Sequence, residues 1–97
     1  MTVAQTIRSK LEARFSPLSL EIFDESGRHA GHAGSRPEGE THFRIVVTAA
    51  AFAGLSRLAR QRLVYETLGE ELKTRIHALS LEARAPAEDP AVRSGED

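Results

Sequence analysis

A change of hydrophobic period at His77 constrains this chain more than any other feature of its sequence. From residue 56 to residue 76, apolar side chains recur at helical spacing and fall on one narrow stripe. The stripe consists of Leu58, Tyr65, Leu68, Leu72 and Ile76. After His77 the period is two, because Leu79, Leu81 and Ala83 alternate with polar residues, which is typical of a half-buried strand. The sequence therefore predicts one long helix, a junction at His77 and a strand, and such a helix needs a sheet to pack against.

Earlier segments predict another helix and two strands. Residues 3–15 place an apolar side chain at every fourth position, which indicates an amphipathic helix that Pro17 ends. Residues 18–24 and the segment that starts near His42 alternate apolar and polar side chains, so they are expected to form two antiparallel strands. Residues 49–53 favour a short helical turn before the long helix.

The predicted fold is α+β, a two-layer sandwich with the order α-β-β-α-α-β and a three-stranded sheet. Within the long helix, Gln61 falls on the core-facing stripe and Leu63 points away from it. Residues 1–85 are expected to form the domain. Residues 86–97 lack periodicity and carry much charge, so they are expected to be a disordered tail.

Composition excludes several classes of protein. The chain has 97 residues and 40% hydrophobic residues, without an apolar run of the roughly 20 residues that would cross a bilayer. It contains no cysteine, which excludes disulfides and any zinc or iron-sulfur site built from its own thiolates. The sequence shows no nucleophile elbow and no phosphate-binding loop, so we expect no enzyme. No signal peptide is visible, and a cytoplasmic location is the expectation.

The histidines are the best candidate metal ligands. His29 and His32 lie in a glycine-rich segment, His42 precedes the second strand, and His77 precedes the third. Imidazole suits iron, copper and zinc, and a glycine-rich loop can bend around a metal. A solvated loop explains His29 and His32 equally simply, and a structural hydrogen bond would explain His77. The residue pattern leaves these alternatives open.

Three arginines crowd the start of the long helix. Arg57, Arg60 and Arg62 stand where the helix dipole disfavours positive charge. Such a cluster can bind an anionic partner. It can also be a solvated face in which Arg62 pairs with Glu66 one turn later.

Taken together, several motifs closely resemble the BolA family, over about residues 3–86. The matching motifs are Asp24-Glu25-Ser26, His29-Ala30-Gly31-His32, Gly39-Glu40-Thr41-His42-Phe43, Phe52-Ala53-Gly54-Leu55-Ser56, Arg60-Gln61-Arg62-Leu63-Val64-Tyr65, Glu70-Glu71-Leu72 and His77-Ala78-Leu79-Ser80-Leu81. The resemblance implies a fold similar to type II KH domains. It also implies a non-enzymatic partner of a monothiol glutaredoxin, active in iron-sulfur cluster assembly, transfer or iron regulation.

The same resemblance implies a shared cofactor. In this family a [2Fe-2S] cluster lies between the two partners, with sulfur ligands from the glutaredoxin and from glutathione. His77 matches the C-terminal ligand of the family, and the second ligand maps to His29 or His32, of which we favour His29. Imidazole ligands would make the cluster similar to a Rieske centre, with a raised reduction potential. Alone, the chain is expected to be a monomer or a weak homodimer.

An alternative function is transcriptional regulation. Some family members are described as regulators, and the short helix, the Gly54 turn and the arginine-bearing helix resemble a helix-turn-helix. Arg57, Arg60 and Arg62 would then contact DNA. The net charge of −1 and the absence of a Gly-x-x-Gly loop do not favour this alternative.

Overall fold

The computed structural model describes residues 2–25 and 42–90, which form helices and one sheet. The helices are α1 (Val3–Phe15), α2 (Arg57–Thr67) and α3 (Gly69–Thr74), and the strands are β1 (Ser19–Asp24), β2 (His42–Thr48) and β3 (Ala78–Arg84). Two short 3-10 turns span Ala50–Phe52 and Pro86–Glu88. This order confirms the predicted α+β class with a three-stranded sheet.

The sheet has the order β1-β2-β3, so β2 is central. β1 runs antiparallel to β2, as predicted, and β3 runs parallel to β2. A parallel pair needs a crossover connection, which α2 and α3 provide. The register places Ile22, Ile45 and Leu81 side by side on the core face of the sheet. Successive residues of each strand therefore alternate between the helical layer and the outer face.

The core lies between α1, the part of the α2–α3 segment that follows residue 62 and the inner sheet face. The four large apolar residues of α1 are all buried, as their spacing of four residues predicts; they are Val3, Ile7, Leu11 and Phe15. The Phe15 ring packs against Phe52 with ring centroids 5.0 Å apart. Lys10 donates to both carboxylate oxygens of the buried Glu71, at 2.9 and 2.8 Å, and so connects α1 to α3. In the described ranges, no helix has the length and apolar character that spanning a membrane would require.

The predicted single long helix is wrong, because the helix breaks at Leu68. α2 ends at Thr67, Leu68 leaves helical geometry with φ −102° and ψ 17°, and α3 begins at Gly69, a poor helix former. Hydrogen bonds from the Leu68 N–H to the Val64 carbonyl and from the Leu72 N–H to the Leu68 carbonyl still connect the two helices. The core-facing side of α2 passes through Val64 and Leu68, so the predicted stripe assigns the wrong residues of α2 to the core.

The residues of α2 that face the core differ from those predicted. Val64 is fully buried and Leu63 packs against the core, although Leu63 was expected to point away. Leu58, expected in the core, is 54% exposed, and Gln61 is exposed as well. Leu68 and Ile76 are buried as predicted.

Residues 86–90 belong to the folded domain, so the predicted domain end at residue 85 is wrong. The Thr48 hydroxyl donates to Asp89 at 2.6 Å, and Asp89 is only 4% exposed. Glu88 accepts from the Ala85 N–H at 2.7 Å, which closes the 3-10 turn. Polar contacts hold this segment in place, and the segment therefore needs no periodic apolar face. The rest of the predicted tail, residues 91–97, lies outside the described residues.

Candidate functional site

Two imidazole rings lie together where β2 and β3 begin. His42 is the first residue of β2 and pairs in register with Ala78, so His77 stands one position before that pair. The rings are nearly parallel, with planes 13° apart and centroids 6.0 Å apart. His77 is exposed, and its side chain makes no hydrogen bond to any residue in the described ranges. Its ring nitrogens are therefore accessible from outside the molecule.

The segment that carries the other two candidate histidines begins and ends at this same end of the sheet. The Glu25 N–H donates to the His42 carbonyl at 2.8 Å, so the chain leaves β1 and enters β2 at adjacent positions. His29 and His32 lie between these positions in sequence, outside the described residues. Within residues 2–25 and 42–90, no three or more histidine, aspartate or glutamate side chains form a group that could hold a metal.

His42 is one of the four candidate histidines of the sequence, but the family resemblance gave it no ligand role. The sequence shows a histidine before the second strand, but only the parallel register with β3 places it beside His77. A neutral imidazole is a good ligand for iron, copper or zinc through either ring nitrogen. The His42–His77 pair, called here the imidazole end, can thus contribute nitrogen ligands to a metal centre that another molecule completes.

The three predicted arginines have two different environments. Arg57 and Arg62 are exposed, and neither guanidinium has a hydrogen-bond or ion-pair partner among the described residues. The Arg62–Glu66 pair, one of the two alternatives for this cluster, is not formed, and the Glu66 carboxylate instead lies 3.4 Å from Arg14.

Arg60 makes internal contacts, and its side chain is only 12% exposed. Nε donates to the Leu55 carbonyl at 3.0 Å, and Nη1 donates to the Ala83 carbonyl at 3.0 Å and to Glu88 at 2.6 Å. Arg60 thus connects the turn before α2 to β3 and to the last 3-10 turn. Contact with a partner would require these hydrogen bonds to break.

A groove of about 740 Å³ lies between the start of α2 and β3. Arginine dominates its charged lining, which consists of Arg44, Arg57, Arg60, Arg84, Glu82 and Glu88. Both carboxylates are already paired, Glu82 with Arg84 at 2.6 Å and Glu88 with Arg60 at 2.6 Å. We call this feature the β3 groove.

The ion pairs of the groove shift two pKa values. Hydrogen bonding from Arg60, followed by the hydrogen bond from the Ala85 N–H, lowers the pKa of Glu88 below its ordinary value. Hydrogen bonding to Glu82 raises the pKa of Arg84. Each shift favours the charged form, so the Glu88 carboxylate and the Arg84 guanidinium are ionised at neutral pH.

Comparison with known proteins identifies the fold and the sequence type. Residues 11–88 match the family described as BolA-like protein. The solved structure of BolA1 from Arabidopsis thaliana superposes with a TM-score of 0.83 at 41% identity, and covers 93% of this chain and 98% of that one. The similarity to type II KH domains stays a prediction.

Curated relatives with different names are similar in sequence to this chain. BolA-like protein 1 of Mus musculus is 50% identical over 86 residues, which is 89% of this chain and 60% of that protein. SufE-like protein 1, chloroplastic/mitochondrial, of Arabidopsis thaliana is 48% identical over 84% of this chain, but over only 23% of its own length. The DNA-binding transcriptional regulator BolA of Escherichia coli is 46% identical over 81 residues, which is 84% of this chain and 73% of that protein. The chain thus spans between about a quarter and three quarters of these relatives.

The expected cytoplasmic location is contradicted by the names of two plant relatives. SufE-like protein 1 is named chloroplastic/mitochondrial, and protein BOLA1, 43% identical over 90 residues, is named chloroplastic. These names point to organelles. The expectation rested on the lack of a visible secretory signal, and that observation does not distinguish the cytoplasm from an organelle.

Proposed function

This chain belongs to the BolA-like protein family, and on that premise we propose that it is a non-enzymatic partner of a monothiol glutaredoxin. The two proteins would share a [2Fe-2S] cluster that serves iron-sulfur cluster assembly, transfer or iron regulation. The observation that carries the proposal is the exposed His77 ring, which has no hydrogen-bond partner in the described part of the chain.

The residues present fit half of a cluster site. His77 and one histidine of segment 26–41 supply the nitrogen ligands, and we favour His29 over His32. Because the chain has no cysteine, the thiolates come from the glutaredoxin and from glutathione. When bound, the cluster supplies an electron-accepting or transferable iron-sulfur group, whose potential imidazole ligation raises. The nearly parallel His42 ring restricts the orientations open to His77.

Visible circular dichroism tests the ligand assignment. The protein is titrated into a monothiol glutaredoxin loaded with [2Fe-2S] and glutathione, and we expect a new spectrum that saturates at an equimolar ratio. His77→Ala is expected to abolish the new spectrum. His77→Cys replaces nitrogen with a thiolate, so it should retain the cluster with a shifted spectrum. A wild-type spectrum in His77→Ala would show that His77 is not a ligand.

A matched pair of variants tests the second ligand. His29→Ala and His32→Ala remove the same side chain three positions apart. We expect His29→Ala to change the spectrum of the complex and His32→Ala to leave it unchanged. The reverse result would assign the ligand to His32, and no effect of either variant would exclude both.

A second candidate function is DNA binding, because α2 presents Arg57 and Arg62 without internal partners among the described residues. The Escherichia coli relative is named a DNA-binding transcriptional regulator. Arg60 would not take part without losing its contacts to Ala83 and Glu88. The element before α2 is a 3-10 turn of 3 residues, shorter than the first helix of a helix-turn-helix.

Fluorescence anisotropy with duplex DNA tests this second function. Binding through Arg57 and Arg62 predicts an affinity that falls steeply with salt, and a smaller salt slope after Arg57→Ala or Arg62→Ala. An affinity that does not depend on salt, or an unchanged slope in both variants, would exclude binding through these arginines.

A further inference from the structure

The outer edge of β3 has no strand partner within residues 2–25 and 42–90. The Ala49 N–H donates to the Arg84 carbonyl at 3.0 Å, which shows that Arg84 directs its backbone groups towards β2. In a parallel pair, alternate residues direct their N–H and C=O to opposite sides of the strand. Leu79, Leu81 and Ala83 therefore direct theirs away from β2, and Leu81 and Ala83 line the β3 groove.

One of these outward groups already accepts a hydrogen bond. Arg60 donates to the Ala83 carbonyl at 3.0 Å and so protects the last position of the edge. The outward backbone groups of Leu79 and Leu81 have no such donor or acceptor among the described residues. Proteins usually cover or interrupt an open strand edge, because it is a template for another strand. The edge at Leu79 and Leu81 thus has unused hydrogen-bonding capacity.

The β3 groove gives that edge room for an added segment. Leu81 lines it from the core side of the sheet and Ser80 from the outer side, so the groove follows the strand edge itself. Arg57 and Gln61 line the opposite wall, and neither side chain has a polar partner in the described ranges. A segment lying along β3 would place its side chains within reach of these two donors.

The charge of the groove favours an acidic occupant. The carboxylates of Glu82 and Glu88 are paired with Arg84 and Arg60, which leaves the Arg57 guanidinium without a counter-charge among the described residues. A carboxylate placed beside Arg57 would form a charge-assisted hydrogen bond.

A peptide fits these features better than a nucleic acid. Among the described residues no aromatic side chain lines the groove, whereas proteins that bind single-stranded nucleic acid stack the bases on aromatic rings. A strand edge instead offers N–H and C=O groups at the spacing of an extended peptide, which is the basis of strand addition.

We propose that the β3 groove binds a short, extended, acidic segment of a partner protein, which adds to β3 as a fourth strand. Backbone groups of Leu79 and Leu81 hold the segment, and Arg57 pairs with one of its carboxylates. The groove is separate from the imidazole end, so this proposal goes beyond the glutaredoxin partnership and does not depend on it.

The test uses the full chain and a defined probe, a fluorescein-labelled heptapeptide of alternating valine and glutamate that is blocked at both ends. We expect saturable binding by anisotropy, with the amide signals of Leu79 and Leu81 shifted in ¹⁵N spectra and protected from hydrogen exchange. Arg57→Glu should weaken binding by about tenfold or more, because it replaces a charge-assisted contact with a repulsion.

Arg62→Glu is the matched control. It makes the same change of charge on the same exposed helix but lies outside the groove lining, so it should alter the affinity by no more than about twofold at physiological salt. The thermal midpoint of each variant confirms that the fold is retained. If both variants weakened peptide binding equally, the interaction would be general charge attraction, and the proposal would be wrong.

Three further outcomes would contradict strand addition to β3. The first is undiminished binding of a probe that is N-methylated along one edge, because that probe cannot pair with β3. The second is binding of oligo(dT) with shifts at Leu79 and Leu81 when the peptide does not bind. The third is a dimer of this chain that Arg57→Glu dissociates, which would make a second copy the occupant.

Discussion

At the end of the sheet where β2 and β3 finish, polar side chains donate hydrogen bonds to groups that are distant in sequence. Thr48 is bound to Asp89, and Arg60 is bound to Leu55, Ala83 and Glu88. At the opposite end, where the same two strands begin, the ring of His77 is exposed and makes no hydrogen bond to a described residue. The Arg60 guanidinium is therefore satisfied within the fold, whereas the His77 ring has no hydrogen-bond partner among the described residues.

This difference separates stability from function. Polar groups that are satisfied inside the fold stabilise it, and their removal leaves buried donors or acceptors unpaired. An exposed imidazole without an internal partner contributes little to folding, so its substitution should change binding while leaving stability nearly unchanged. The following predictions test this contrast, from the largest expected effect to the smallest.

Arg60→Ala should have the largest effect on stability. It removes a guanidinium from a side chain that is 12% exposed, so the Ala83 and Leu55 carbonyls lose their hydrogen bonds to Arg60. Within the described part of the chain, the Glu88 carboxylate then keeps only the hydrogen bond from the Ala85 N–H. We expect a loss of about 3 kcal/mol in the free energy of unfolding, measured in urea. Arg62→Ala, an exposed position of the same helix, should change it by less than about 0.5 kcal/mol. Similar values for the two variants would contradict the structural role of Arg60.

Thr48→Val should have an intermediate effect. Valine keeps the shape of threonine but removes the hydroxyl that donates to the buried Asp89 at 2.6 Å. We expect a loss of about 2 kcal/mol, since a buried carboxylate oxygen loses a donor. In a double-mutant cycle with Asp89→Ala, the two losses should sum to more than the double variant shows. Strict additivity would mean that the hydrogen bond contributes nothing.

His77→Ala should leave stability almost unchanged. The free energy of unfolding is expected to shift by less than about 0.5 kcal/mol, because the ring is exposed and lacks a hydrogen-bond partner in the described ranges. The same variant should lose the visible spectrum of the glutaredoxin complex. A large loss of stability would remove the contrast between the two ends of the sheet and assign His77 a structural role.

Glu88→Gln should change the pH dependence of stability and have the smallest effect. The folded-state pKa of Glu88 lies below its ordinary value of 4.5, so its ionised form stabilises the fold above that pH. This contribution is lost as the pH falls through the lowered pKa. Glu88→Gln should therefore be less stable than the wild type at pH 7 and equally stable well below the lowered pKa, in urea titrations at each pH. A constant difference between the two proteins would exclude the linkage.

The local pattern of the sequence determined most of the fold. The spacing of four residues in α1 and the alternation of apolar and polar residues in the strands assigned the class of those elements, and the buried face of α1 was identified residue by residue. These predictions succeeded because helical and strand periodicities are properties of neighbouring residues. His77 was correctly placed at the junction before β3 for the same reason.

Only the tertiary structure decided which distant residues meet. The Thr48–Asp89 and Arg60–Ala83 hydrogen bonds join residues 41 and 23 positions apart, and no local period records such contacts. Packing of α2 against the core buries Val64 and Leu68, so Leu58, which the stripe assigned to the core, is exposed. His42 lies beside His77 because β2 and β3 pair in parallel, a register that the crossover through α2 and α3 sets. The sequence thus determined the elements, and packing between them determined which side chains are available to a partner.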